Sequence, residues 1–111
     1  MTEGQIQQKM FLWFHNNYCL PIHKPRCVIF SVPNEGKDAR EQAYKKALGM
    51  VSGVSDMIVV LKDKVLFIEV KTKIGKQSVN QKKFEKTITN LNFEYHLIRS
   101  LEEFKTLIKT K

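Results

Sequence analysis

Residues 53–71 read Gly-Val-Ser-Asp-Met-Ile-Val-Val-Leu-Lys-Asp-Lys-Val-Leu-Phe-Ile-Glu-Val-Lys. Two apolar runs, Asp56 to Leu61 and Val65 to Lys71, flank the polar break Lys62-Asp63-Lys64. Both runs are rich in β-branched residues and predict two strands of a hairpin. A two-residue turn centred on Lys62 and Asp63 makes the numbers of opposed residues sum to 125, which sets Asp56 directly across from Glu69. Opposed residues in an antiparallel pair have Cβ atoms roughly 4.5–5.5 Å apart. Side chains alternate along a strand, so Lys71 shares the face of Glu69. Asp56, Glu69 and Lys71 thus converge at the open end of an apolar hairpin. Lys-Asp is not a favoured two-residue turn, and a slip of one residue would turn every side chain to the opposite face. Against a reading of Glu69 as a strand-end charge, its neighbours Phe67, Ile68 and Val70 are all apolar. A carboxylate among residues that favour burial needs a partner. Two adjacent carboxylates need a cation between them, and Mg²⁺ is suited to one or two carboxylates with water and phosphate on its other positions.

The chain has 111 residues, enough for a single domain. Lys and Arg number 19 against 11 Asp and Glu, a net charge of +8 that favours a polyanionic partner, nucleic acid first and an anionic membrane second. No apolar run approaches the ~20 residues needed to span a bilayer. The opening Met-Thr-Glu-Gly-Gln-Ile-Gln-Gln-Lys-Met lacks the basic and apolar regions of a signal peptide. Two cysteines, Cys19 and Cys27, do not make a disulfide framework. The expectation is a reduced, cytoplasmic protein with no membrane partner.

Around the hairpin, Glu3 to Asn17 predicts a helix with Ile6, Met10, Trp13 and Phe14 on its core side. Glu3 and Gln7 are four apart and share a face beside that stripe. Glu3 suits a helix N-terminus on its own account. Tyr18 to Arg26, with Pro21 and Pro25, reads as a loop. His15, Cys19, His23 and Cys27 recur every four residues, but the prolines interrupt any one helix and the spacing is not that of usual zinc frameworks. Val28 to Val32 predicts a strand, Pro33-Asn34-Glu35-Gly36 a turn, and Asp38 the cap of a helix that carries Ala39, Ala43, Tyr44, Ala47 and Leu48 and stops near Gly49. Ser78 caps a third helix with Phe84, Ile88 and Leu91 as its apolar stripe. Ser78 and Gln81 have capping-box spacing, so Gln81 has a structural use as well as a place near the inward face. Tyr95 to Arg99 is a last strand, in which His96 reads as a packed histidine. Ser100 caps a final helix with Leu101, Phe104, Leu107 and Ile108 inside. The fold class is α/β: a central mixed β-sheet flanked by helices on both faces.

This order resembles the PD-(D/E)XK nuclease core, restriction-endonuclease-like αβββαβ, and within that superfamily the VRR-NUC family. The matching pieces are Glu3 and Gln7, Pro33-Asn34-Glu35-Gly36, Gly53-Val54-Ser55-Asp56, Ile68-Glu69-Val70-Lys71-Thr72, Gly75-Lys76-Gln77-Ser78, Gln81, and Tyr95-His96-Leu97-Ile98-Arg99. They span almost the whole chain. The Glu-x-Lys spacing alone also occurs at Glu35-Lys37 and Glu103-Lys105, without a strand or an upstream aspartate. Asn92-Phe93 stands where family members tend to have glycine, and asparagine tolerates the left-handed conformation.

The resemblance implies metal-dependent phosphodiester hydrolysis on DNA. Asp56 and Glu69 would hold Mg²⁺ or Mn²⁺ with the backbone carbonyl of Val70, and Glu3 would hold or support the metal. Lys71 would position the attacking water and offset phosphate charge, with Gln81 orienting Lys71 or the phosphate. Asn34, Lys37, Arg40, Lys73, Lys76, Gln77, Lys82 and Lys83 are the expected DNA-binding residues. Such contacts reach phosphates without reading bases, and no base-reading motif is evident. Small stand-alone members of the family tend to be phage or bacterial proteins acting on branched DNA. A four-way (Holliday) junction is therefore the expected substrate, with flaps second and a homodimer as the expected assembly. The competing reading is a non-catalytic basic nucleic-acid-binding module on the same fold.

Overall fold

Why the chain starts its first helix at Glu3 is local chemistry. The Thr2 hydroxyl accepts the Gln5 N–H at 3.1 Å and the Gln5 side chain accepts the Thr2 N–H at 2.9 Å, a complete capping box. The structure is a computed structural model that describes residues 1–33 and 37–111. Its elements in chain order are α1 (Glu3–Tyr18), β1 (Val28–Ser31), α2 (Ala39–Ala47), β2 (Met57–Leu61), β3 (Lys64–Val70), α3 (Val79–Asn90), β4 (Glu94–Ile98) and α4 (Leu101–Lys109). The expected turn at Asn34-Glu35-Gly36 lies outside the described residues.

The strands form one mixed sheet in the order β1-β2-β3-β4, antiparallel up to β3 and parallel from β3 to β4. Met57 opposes Ile68 and Leu61 opposes Lys64, so opposed numbers sum to 125 as the hairpin reading expects. The unfavoured Lys62-Asp63 turn is made by Asp63 at φ 62°, a left-handed conformation that a short polar side chain tolerates. Asn92, at φ 68°, does the same before β4.

The period-two alternation of the strands divides the sheet into two faces. Ile29, Met57, Val59, Leu66, Ile68, Val70 and Ile98 point to the first and pack against Ile6, Met10 and Phe14 of α1 and Phe104 and Ile108 of α4. Phe14 stacks on Tyr18 at 4.9 Å, and Trp13 meets Phe104 edge-on at 5.8 Å. The second face carries Phe67 and Tyr95, both met edge-on by Phe84 of α3, at 6.0 and 6.1 Å. Helices thus cover both faces, but unequally. Val28 and Phe30, on the second face of the edge strand β1, remain 49% and 45% exposed.

One expected core position is elsewhere. Leu91 follows the last residue of α3 as its C-cap and is 60% exposed, so the apolar stripe of that helix ends at Ile88. Helix α2 buries no residue, although its N-cap forms as expected. Asp38 accepts the Glu41 N–H at 2.9 Å, while the Glu41 side chain turns to Lys45 at 3.0 Å instead of closing a capping box. His96 lies 2.9 Å from Glu94. Among the described residues, no helix is long and apolar enough to cross a membrane.

Phe104 is fully buried between α1 and the sheet. Phe104→Ala is expected to destabilise the fold by about 3–5 kcal/mol, read from the midpoint of urea unfolding.

Candidate active site

The hairpin register delivers the first two groups. Continued by one step past Met57–Ile68, it sets Asp56 opposite Glu69. Asp56 Oδ2 accepts the Val70 N–H at 2.6 Å, so its carboxylate is tied to the β3 backbone beside Glu69. Lys71 follows on the same face as Glu69, half-buried, with its own N–H on the Ile98 carbonyl at 3.0 Å. Burial holds the Asp56 carboxyl above its ordinary range, and the charges of Glu69 and Glu3 push the same way; the Val70 N–H and Lys71 oppose them. Asp56, Glu69, Glu3 and Lys71 therefore share one electrostatic neighbourhood at one end of the sheet.

Glu69 is completely buried. Its Oε1 accepts the Tyr95 hydroxyl and, at 3.1 Å, the Gln77 side-chain N–H. The same Gln77 nitrogen donates to Glu85 Oε1 at 2.9 Å. Burial first, then the hydrogen bond to Glu69, push the Tyr95 phenol upward, which keeps it a protonated donor. Oε2 of Glu69 is different: it is buried and has no hydrogen-bond partner among the described residues. A buried carboxylate oxygen without a partner is costly and calls for a cation.

The donor set fits a small hard cation: two carboxylates, Asp56 and Glu69, one with an orphaned oxygen. Among the described residues no group of three or more His, Cys, Asp or Glu side chains converges to hold a metal. Glu3 is exposed in the first turn of α1 and acts on Asp56 through its charge. The evenly spaced His and Cys residues go separate ways. His15 stacks on Phe11 at 5.6 Å, His23 Nδ1 accepts the Leu20 N–H at 2.9 Å, and Cys19 and Cys27 are buried free thiols.

The remaining expected residues sit on two connections. Arg99 Nη1 donates to the carbonyls of Thr72 and Gly75, each at 2.7 Å, and so pins the loop that follows Lys71. On that loop Lys73 and Lys76 are exposed, whereas Gln77 is turned inward onto Glu69 and Glu85. Lys82 and Lys83 are exposed on α3, and Lys37 and Arg40 are exposed around the start of α2. Asn34 lies outside the described residues. Gln81 closes the capping box of α3: its side-chain carbonyl accepts the Ser78 N–H at 2.8 Å, leaving the amide NH₂ as its remaining donor. The loop into Asp56 touches that helix directly. Gly53 has φ 78°, and a Cβ there would lie 2.3 Å from the Asn80 carbonyl oxygen.

Tyr95, Glu85 and Arg99 were not marked as site residues by the sequence. Tyr95 had one usable signal: it is a tyrosine in an apolar strand, and a buried hydroxyl needs an acceptor.

The fold and this centre define a mixed-sheet α/β domain with a paired-carboxylate cluster at one end of its sheet. No protein-family model matches the sequence, and no curated protein matches it. Two solved structures share the fold over nearly the whole chain. A VRR_NUC domain protein aligns with a TM-score of 0.77 at 18% identity, covering 99% of this chain and 87% of its own. A second, described as a VRR_NUC domain, aligns with a TM-score of 0.66 at 17% identity, covering 98% of this chain and 97% of its own. The fold is that of VRR_NUC domains, as the sequence resemblance implies.

The raised carboxyl of Asp56 has a thermodynamic consequence. The folded protein holds this proton to higher pH than the unfolded chain does. Its contribution to stability is fully present below the unfolded pKa of about 3.9 and is lost as pH rises through the folded value. Asp56→Asn keeps an acceptor for the Val70 N–H and removes that loss. The metal-free variant is expected to melt above wild type near neutral pH, with the gap closing toward about pH 3.

Proposed function

We propose that this protein is a metal-dependent DNA endonuclease that hydrolyses phosphodiester bonds. One observation carries the reading: the orphaned, buried Oε2 of Glu69 beside Asp56, in a chain with the VRR_NUC fold. Asp56 and Glu69 hold Mg²⁺ or Mn²⁺, with the Val70 carbonyl as a further oxygen. The bound ion supplies the usual chemistry of lowering the pKa of a water and neutralising charge on the phosphate. Lys71, on the same face, orients the attacking water and offsets the charge that develops on the non-bridging oxygens. The Gln81 amide donates to Lys71's water or to the phosphate. Glu3 adds negative charge that strengthens cation binding from the first turn of α1.

The exposed cations suit a phosphate backbone. Lys73 and Lys76 follow Lys71 in the chain, Lys82 and Lys83 lie on the next helix, and Lys37 and Arg40 lie near the start of α2. With Asn34 and Gln77 they were the expected DNA contacts, but the amide of Gln77 is engaged by carboxylates. Backbone contacts of this kind position a duplex without reading its sequence. Selection is then by shape, and we take branched DNA, a four-way junction above all, as the substrate. One chain carries one centre, so symmetric cutting of two strands requires a homodimer.

The test is cleavage of a labelled four-way junction and a matched linear duplex with Mg²⁺, Mn²⁺ or EDTA. Lys71→Ala is expected to lower the cleavage rate by at least about 10²-fold, the scale of losing one electrostatic group at a transition state. Cutting of both substrates alike would keep the chemistry and remove the junction preference. Binding that falls steeply with salt, with no cutting under any metal, would make the protein a nucleic-acid-binding module instead.

A further inference from the structure

The hydrogen bonds around Glu69 do more than satisfy a buried charge. A carboxylate oxygen has two acceptor positions. Both positions of Oε1 are filled, one by the Tyr95 hydroxyl and one by a Gln77 N–H. Gln77 cannot turn its amide around, because its NH₂ group also donates to Glu85; reversed, its carbonyl would face two carboxylates. Tyr95 is itself held by its ring, buried in β4 and met edge-on by Phe84. The clamp therefore comes from three separate elements of the fold: β4, the loop before α3, and α3 itself.

What is left of Glu69 for a cation is Oε2 alone. A carboxylate so held ligates with one oxygen, not two. Ions differ in what they ask of a carboxylate: Ca²⁺ takes six to eight oxygens and readily accepts both from one carboxylate, whereas Mg²⁺ takes six in a stricter octahedral arrangement. We propose that Tyr95 and Gln77 are positioning residues that restrict Glu69 to one-oxygen ligation and so make the site discriminate against Ca²⁺ in favour of Mg²⁺ and Mn²⁺. This deepens the reading of the site as a metal centre and rests on it.

The readout is binding, independent of cleavage. Free Mn²⁺ is followed by its electron paramagnetic resonance signal as the full-length protein is titrated, and Ca²⁺ is then added as competitor. The quantity compared is the ratio of the Ca²⁺ and Mn²⁺ dissociation constants. Tyr95→Phe keeps the ring and removes only the hydroxyl; Gln77→Leu removes the other donor and serves as the second variant. Each is expected to lower the ratio by about tenfold, the lower end of what losing a group behind a metal ligand costs. A ratio within twofold of wild type in both variants overturns the proposal and leaves the metal site standing. Equal weakening of both ions overturns it as well, since the clamp would then be general support for the carboxylate. Wild-type protein that takes up no Mn²⁺, matching Asp56→Ala, removes both the clamp and the metal reading beneath it.

Discussion

A single buried carboxylate sets the terms for the rest of this molecule. Glu69 lies on β3, one of the two central strands, and has no exposed surface. An ionised group in that position is tolerated only where the surroundings supply donors or a cation. The fold supplies donors to one oxygen and leaves the other bare. Everything near it is arranged on that basis. Asp56 is brought opposite by the hairpin register and tethered to the Val70 N–H, and Lys71 follows on the same face. The field of Glu69 then works on Asp56 from across the hairpin, adding to the effect of burial.

Three backbone devices keep this arrangement in place. The left-handed Asp63 closes the turn that fixes the register. Arg99 gathers three carbonyls of the loop after Lys71, those of Thr72, Lys73 and Gly75, and acts there much as a bound cation would. Gly53 allows the strand carrying Asp56 to be entered across the first turn of α3, at a separation no side chain would permit. Hairpin, loop and helix are joined by close backbone approach and by the Arg99 side chain on backbone carbonyls. The centre is accordingly built on rigid pieces.

Much of this could be read from the chain. The hairpin was legible because two apolar runs on either side of a short polar break leave few registers that bury both. The Ser78-Gln81 box and the Asp38 cap follow from local hydrogen bonding, which needs no knowledge of the fold. Tyr95 and Gln77 are of another kind. They lie 26 and 8 residues from Glu69, and only the parallel placement of β4 and the turn of the loop bring them to it. Leu91 matched the helical period but fell one residue past the helix, where Asn92 turns the chain away. Helix α2 had an apolar stripe of the right spacing, yet periodicity states which residues could be buried, not that anything is present to bury them.

A helix with no buried residue bears on how the molecule behaves in time. At nine residues α2 is shorter than the ~12–15 at which isolated helices become even marginally stable in water. Its cap and its Glu41–Lys45 pair contribute local free energy. With no buried residue it belongs to the class of segment expected at the low end of local stability. Peptide helices relax in about 0.1–1 μs, far faster than a packed core rearranges. Lys37 lies just before this segment and Arg40 on it, so a polyanion that contacted them would also favour its helical state. Part of the free energy of such an encounter would go into conformational order, and its strength would depend on helix propensity at positions outside the buried core.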